Sequence, residues 1–138
     1  MISIKKYILA TLAFIIVGFT IAFVWHLVLF KGVYDSLKIY SREPIIVLGF
    51  LSFILIGLAF VYIFQFFRRG KSPILEGFVF GLLAYGVLMG GVGVLAEGAK
   101  HTVTSLSTWL VLESAFYLVT GMILGMITGM IYGKSPRE

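Results

Sequence analysis

The sequence predicts an all-α integral membrane protein: a four-transmembrane-helix bundle with antiparallel, up-down connectivity. Composition is the first observation, because 60% of the 138 residues are hydrophobic, only 12% are charged and the mean hydropathy is +1.08. A soluble domain of this size could not cover its surface with so few charges. The second observation is four apolar runs, each about as long as the roughly 20 residues that a bilayer-spanning helix needs. We predict one domain, residues 1–138, with spans at residues 7–30, 44–67, 74–96 and 109–132.

The third observation is a row of glycines in the last apolar run, which reads GMILGMITGMIYG. Glycine recurs there every four residues, which places these positions on one stripe of a helix. In water, each interior glycine would cost about 1 kcal/mol relative to alanine, but in lipid a stripe without side chains lets another helix approach closely. We therefore expect glycine-zipper packing between the third and fourth helices. The expected packing positions are Gly77, Gly81, Gly121, Gly125, Gly129 and Gly133.

Both stripes can be extended in steps of four toward the other end of their helices. The third-span stripe continues through Tyr85 and Gly93 to Glu97, and the fourth-span stripe runs back through Tyr117 to Glu113. The two spans are neighbours in sequence, joined by a short connection. We therefore expect the stripes to face each other and the two carboxylates to meet near the outer surface.

The first span follows a short basic leader. Its apolar run is longer than that of a usual signal peptide, and no small-x-small cleavage pattern follows it, so we expect it to be retained. Trp25 is expected at the far interface, with His26 beside it. The polar connection Lys31–Glu43 carries apolar residues and Tyr34 at helical spacing, which predicts a short interfacial helix.

The boundaries of the second and third spans carry helix-start signals. Pro44 opens the second span, because proline at a first helical position removes no hydrogen bond. A tight basic turn follows that span. Ser72 then has the character of an N-cap before Pro73, and Glu76 falls in the first turn, where a negative charge is favourable.

Lysines and arginines predict the orientation. Seven lie in the N-terminus, the middle turn and the C-terminus: Lys5, Lys6, Arg68, Arg69, Lys71, Lys134 and Arg137. Four lie on the other side: Lys31, Lys38, Arg42 and Lys100. The positive-inside rule then places both termini in the cytoplasm, in a cell (inner or plasma) membrane. The net charge of +5 reflects these short loops beside lipid headgroups, so no nucleic-acid partner is predicted.

One polar layer is expected near the outer face. Glu113 lies one turn inside Trp109, and an ionisable residue within a span marks a functional or strongly paired position. We expect it to be protonated, or paired with a lysine, a histidine or a tyrosine hydroxyl. The candidate ligand- or ion-binding residues of this layer are His26, Glu97, Lys100, His101 and Glu113.

Three interpretations of this layer stay open: a structural hydrogen-bonded network, a proton-relay or ion-binding site, and a transition-metal site. Histidine and carboxylate can ligate zinc, iron or copper. The spacing E-x-x-x-H, however, differs from the Glu-x-x-His pairs of di-iron bundles, so no metal site is predicted. The sequence contains no nucleotide-binding loop, serine–histidine–aspartate arrangement or HExxH motif, so no catalytic residue is predicted, and the cofactor is unknown.

Four short segments resemble a family of small four-span bacterial membrane proteins, catalogued only as a domain of unknown function. They are FVWHLVLFK at Phe23–Lys31, REP at Arg42–Pro44, AKH at Ala99–His101 and GMIYG at Gly129–Gly133. The resemblance implies four spans. It also implies that the Trp-His, Ala-Lys-His and span-four glutamate positions belong to one common feature. It implies no activity, substrate or cofactor.

The predicted function is a non-enzymatic membrane subunit or scaffold. The expected partners are the lipid bilayer and either other membrane subunits or further copies of the chain. The alternative is a small proton- or cation-coupled transporter or channel that uses Glu113, Glu97, His101 and His26. A conducting path needs polar groups at several depths, and the cytoplasmic half offers only glycines, tyrosines and two threonines. A membrane enzyme acting on lipid or quinone is the third interpretation.

Overall fold

The structure, a computed structural model, describes residues 3–39, 45–100 and 102–133. Five helices form within these ranges, and four of them are long and apolar enough to cross a membrane. The helices are α1 (Ile4–Leu29), α2 (Lys31–Leu37), α3 (Ile46–Phe67), α4 (Pro73–Gly98) and α5 (Leu106–Tyr132). The all-helical class and the four candidate membrane spans are therefore confirmed. Each long helix begins and ends within three residues of its predicted bounds. The short helix α2 is the one expected after the first span.

Several predicted positions lie outside the described residues. These are Pro44, at the predicted start of the second span, His101 of the polar layer, and the basic residues Arg42, Lys134 and Arg137.

The start of α5 is set by a serine cap. The Ser105 hydroxyl accepts a hydrogen bond from the backbone N–H of Thr108 at 3.4 Å, as an N-cap does. The helix therefore begins at Leu106, three residues before the predicted start at Trp109.

The turn between α3 and α4 is organised by a carboxylate. Pro73 is at the first helical position as predicted, but the Ser72 side chain makes no capping hydrogen bond. Instead, Glu76 accepts four backbone N–H groups of the preceding turn at 2.8–3.1 Å, from Arg69, Gly70, Lys71 and Ser72. Gly70 has a φ of +72°, a conformation that favours glycine. The predicted serine cap is thus replaced by a side chain that reaches back across the turn.

Helices α4 and α5 pack with backbone against backbone. A Cβ atom built on Gly81 would overlap the carbonyl oxygen of Gly121, and one built on Gly125 would overlap that of Gly77. Gly129 lies against the carbonyl of Pro73 in the same way. Any side chain larger than hydrogen would separate the two helices here.

Gly133, predicted to be part of the same stripe, is placed differently. It follows the last residue of α5 with a φ of +63°, and among the described residues a Cβ atom built on it would meet only the carbonyl oxygen of Met130, 4.0 Å away. It therefore ends the helix, and no described residue of α4 lies against it.

The middle of α4, Gly81–Gly91, is a π-helix. Hydrogen bonds from i to i+5 widen each turn, which brings further residues of α4 toward α5. The predicted stripe position Tyr85 meets Tyr117, with their ring centroids 5.5 Å apart. Gly86, against Leu118, and Gly90, against Tyr117, also meet α5, although neither lies on steps of four. Gly93, further along the predicted stripe, has no atom of the described residues within 4 Å of a built Cβ, so it makes no close contact with α5.

Two clusters of buried side chains hold the helices together. The larger cluster joins all four long helices around Phe14, Phe60 and Phe64. The smaller cluster joins α2 to the adjoining ends of α4 and α5 through Tyr34, Leu37, Val94 and Trp109. The second cluster positions the polar site.

Candidate functional site

Glu113 is the centre of the polar site. Its Oε1 atom accepts a hydrogen bond from the Tyr34 hydroxyl at 2.6 Å and lies 3.2 Å from His26 Nε2. The side chains of His26 and Glu113 are only 21% and 12% exposed. The predicted pairing of Glu113 with a histidine or a tyrosine hydroxyl is confirmed for both groups. The contacts bring α1, α2 and α5 together at one point.

His26 is oriented by a π-helical turn. The last turn of α1, Trp25–Leu29, is a π-helix, and the His26 ring turns back toward its own helix. Its Nδ1 atom lies 2.9 Å from the carbonyl oxygen of Ala22. A carbonyl oxygen can only accept, so Nδ1 carries a hydrogen and donates it. Nε2 is then the atom that meets Glu113.

The contact between His26 and Glu113 therefore requires one further proton. With Nδ1 already protonated, the contact of Nε2 with Oε1 forms either as imidazolium with carboxylate or as imidazole with carboxylic acid. Both forms carry no net charge. An unpaired charge at this depth would cost several kcal/mol. A pair that shares this proton is neutral overall and avoids that cost.

Aromatic rings enclose the histidine. The His26 ring lies 4.8 Å from the Tyr34 ring and 4.6 Å from that of Phe116, the latter in an edge-on arrangement. Trp109, expected at the interface, is buried in the same cluster, and its ring would lie 2.9 Å from a Cβ atom built on Gly98. These rings shield the polar site, which strengthens the interactions within it.

Two other residues of the predicted layer form an exposed ion pair. Glu97 pairs with Lys100 at 3.3 Å across one helical turn, and their side chains are 50% and 67% exposed. Glu113 bonds to α1 and α2, whereas Glu97 pairs with Lys100 at the exposed end of α4. The expected meeting of Glu97 with Glu113 stays a prediction.

Tyr34 is the site residue that sequence reasoning did not single out. It was placed in the predicted short helix, but nothing in its spacing indicated which carboxylate it would meet. Its ring is 1% exposed, and it supplies the shortest hydrogen bond of the site. Its only sequence signal was its position on the apolar face of α2.

The site offers few ligands for a cation. Among the described residues, no three histidine, cysteine, aspartate or glutamate side chains lie close enough to hold a metal ion together. The site itself combines one imidazole, one carboxyl group and one phenol. It can hold and exchange a proton, and it can join three helices.

The chain matches no protein-family model, no curated protein and no solved structure. The resemblance to a small four-span bacterial family stays a prediction, so the function must be inferred from the geometry of the site and of the helix surfaces.

Proposed function

We propose that the protein is a non-enzymatic integral membrane subunit or scaffold that associates with itself or with a larger membrane complex. In this proposal the four spans run antiparallel in up-down order, and both termini lie in the cytoplasm. The order of the glycine contacts supports the antiparallel arrangement, because Gly77 meets Gly125 whereas Gly81 meets Gly121. The close approach of the two backbones at these glycines supports a glycine zipper.

The proposal depends above all on the bonding of His26 to both of its neighbours. Nδ1 is engaged by Ala22 and Nε2 by Glu113, so neither ring nitrogen is available to a metal or a substrate. Tyr34 donates to the same carboxylate oxygen. The network links three helices, as a structural element would.

Glycines on outward faces support association. Gly49 on α3 and Gly91 and Gly93 on α4 have no atom of the described residues within 4 Å of a built Cβ. Each costs about 1 kcal/mol relative to alanine in a helix, and no close contact with the described part of the chain requires it. Small residues on a lipid-facing surface allow a helix of another subunit to approach closely.

Native mass spectrometry after extraction in a mild detergent tests the proposal. We expect a multimer or a stoichiometric protein partner, and we expect Gly93→Leu to weaken the assembly. Val87→Leu is the matched control, because it enlarges another exposed position of α4 without removing a glycine. A wild-type protein that is monomeric and free of protein partners would contradict the proposal.

A second candidate function, proton-coupled transport, is favoured by one observation. The contact of His26 Nε2 with Glu113 Oε1 requires a proton between the two atoms. Tyr117 follows Glu113 by one turn of α5, and its ring lies 5.5 Å from that of Tyr85. Proton flux into liposomes and elemental analysis separate the two functions. The scaffold proposal expects neither flux nor stoichiometric metal. Flux or metal that Glu113→Gln removes from a folded protein would favour transport.

A further inference from the structure

An apolar groove separates α3 from α4. Its volume is about 590 Å³, and aliphatic and aromatic side chains of both helices line it, among them Ile56, Ala59, Ile63, Phe67, Leu83 and Leu88. Phe60 and Phe80, whose ring centroids lie 4.7 Å apart, also line it and bridge the two helices. The groove is open toward the surface, because Ile63 and Leu88 are 53% and 67% exposed.

The length of the groove matches one leaflet of a bilayer. Its α3 wall runs from Ile56 to Phe67, which is about 16 Å at the rise of 1.5 Å per helical residue. The hydrocarbon core of a bilayer is about 30 Å thick, so one leaflet contributes about 15 Å. A transmembrane helix of a partner would need a groove about twice as long. An acyl chain fits the observed length.

The end of the groove that lies at the α3–α4 turn is positively charged. Phe67 also lines a second cavity of about 520 Å³, whose walls include Arg68, Arg69 and Glu76. Arg68 is fixed, because it donates to the carbonyl oxygen of Gly133 at 3.0 Å and lies over the ring of Tyr132.

The charges at this end are unequal. The Glu76 carboxylate is enclosed by four backbone N–H groups, whereas the Arg69 side chain is exposed at the cavity wall. Two guanidinium groups against one carboxylate leave a net positive charge where the apolar groove ends. Guanidinium groups are well suited to bind phosphate through two parallel hydrogen bonds.

We propose that this groove is a binding site for an anionic phospholipid of the leaflet on the side of the α3–α4 turn. One acyl chain lies between α3 and α4, and the phosphate is held beside Arg69. The apolar length and the cationic end together complement a phospholipid, as basic pockets between transmembrane helices do. The site is distinct from His26, Glu113 and Tyr34 and does not depend on the scaffold proposal.

Native mass spectrometry of the purified protein, titrated with phosphatidylglycerol or with phosphatidylcholine of the same acyl chains, tests the headgroup. We expect tighter binding of phosphatidylglycerol. A basic residue near an anionic headgroup contributes about 1 kcal/mol, so Arg69→Gln should weaken phosphatidylglycerol binding about fivefold. It should weaken phosphatidylcholine binding less, because the choline ammonium offsets the charge of the phosphate. Lys71→Gln is the control, because Lys71 lines a different cavity on α4 beside Met126. It should change the affinity less than about twofold.

A second pair of variants tests the acyl chain. Ala59→Phe places a ring into the groove from an exposed position and should weaken both lipids, whereas Leu55→Phe adds a ring to the same helix outside the groove and should weaken neither. Equal binding of the two lipids by the wild-type protein would overturn the proposal. Equal losses of phosphatidylglycerol affinity in Arg69→Gln and Lys71→Gln would also overturn it. The proposal would also be overturned if the protein formed a multimer that Ala59→Phe dissociates whether or not lipid is added. A second copy of the chain would then occupy the groove.

Discussion

His26 Nε2 and Glu113 Oε1 lie 3.2 Å apart and join two residues that are 87 positions apart in the chain. The contact connects the end of α1 to the first half of α5, and the Tyr34 hydroxyl adds α2 to the same carboxylate oxygen. Three helices therefore share one acceptor. Replacing Glu113 with an apolar residue should therefore lower the free energy of unfolding more than replacing it with a polar one.

Glu113→Gln should lower the free energy of unfolding by about 1 kcal/mol, because the amide oxygen can take the place of Oε1 and accept from Tyr34, whereas the contact of that atom with His26 Nε2 loses its ionisable partner. Glu113→Leu should cost about 2–3 kcal/mol, because it leaves both partners buried without an acceptor or donor. Thermal unfolding in detergent measures both. Glu97→Gln is the control and should change stability by less than about 0.5 kcal/mol, since its pair is exposed. Equal effects of glutamine and leucine at position 113 would contradict the network.

Gly81→Ala should destabilise the protein by about 1–3 kcal/mol, because its new Cβ would overlap the backbone of Gly121. Gly93→Ala should be neutral or stabilising by up to about 1 kcal/mol, because the space around it is open and alanine favours a helix. Thermal unfolding compares the stabilities of the two variants. Met126→Leu is included as a second substitution that should have a mild effect. The contact of α4 with α5 would be refuted if Gly81→Ala behaved like Gly93→Ala.

Glu76→Ala should destabilise the turn between α3 and α4, because four backbone N–H groups lose their acceptor. We expect a cost of about 1–2 kcal/mol, in the range of a lost helix cap. Faster hydrogen exchange at residues 69–72 would localise the effect. Ser72→Ala is the matched control, because its side chain makes no capping bond, and it should leave both measurements unchanged. A larger effect of Ser72→Ala than of Glu76→Ala would contradict this account of the turn.

A cytoplasm-only reporter fused at the C-terminus should give a signal, and the same reporter inserted within Lys31–Glu43 should not. The reason is the excess of lysine and arginine, seven against four, on the side of the termini. A matched fusion in the turn between α3 and α4 should give the signal of the C-terminal fusion. The reverse pattern would overturn the predicted orientation.

The four long helices could be predicted from the sequence because hydropathy is a local property. A run of about 20 apolar residues is sufficient to indicate a membrane-spanning helix. The helix ends were less certain, since they depend on capping. Ser105 moves the start of α5, and Glu76 replaces Ser72 at the start of α4.

The close glycine positions on α5 could also be predicted, because the helix is regular there and steps of four keep one face. On α4 the same counting reaches Tyr85, whose ring lies 5.5 Å from that of Tyr117, but it misses the contacts of Gly86 and Gly90. The π-helical segment Gly81–Gly91 changes the number of residues in each turn, and a pattern of apolar residues without polar interruptions does not reveal that change. The contacts of Gly86 and Gly90 with α5 were therefore decided by the tertiary structure.

The sequence by itself determined which residues are costly to bury: His26 and Glu113 were identified because an ionisable group within a span needs a partner. Only the tertiary structure decided which partners they have. The contacts of Glu113 with His26 and Tyr34 close loops of 87 and 79 residues. No local spacing specifies such contacts, because they depend on how α1, α2 and α5 pack. The groove between α3 and α4 has the same origin: it arises from the packing of whole helices, which individual apolar runs do not specify.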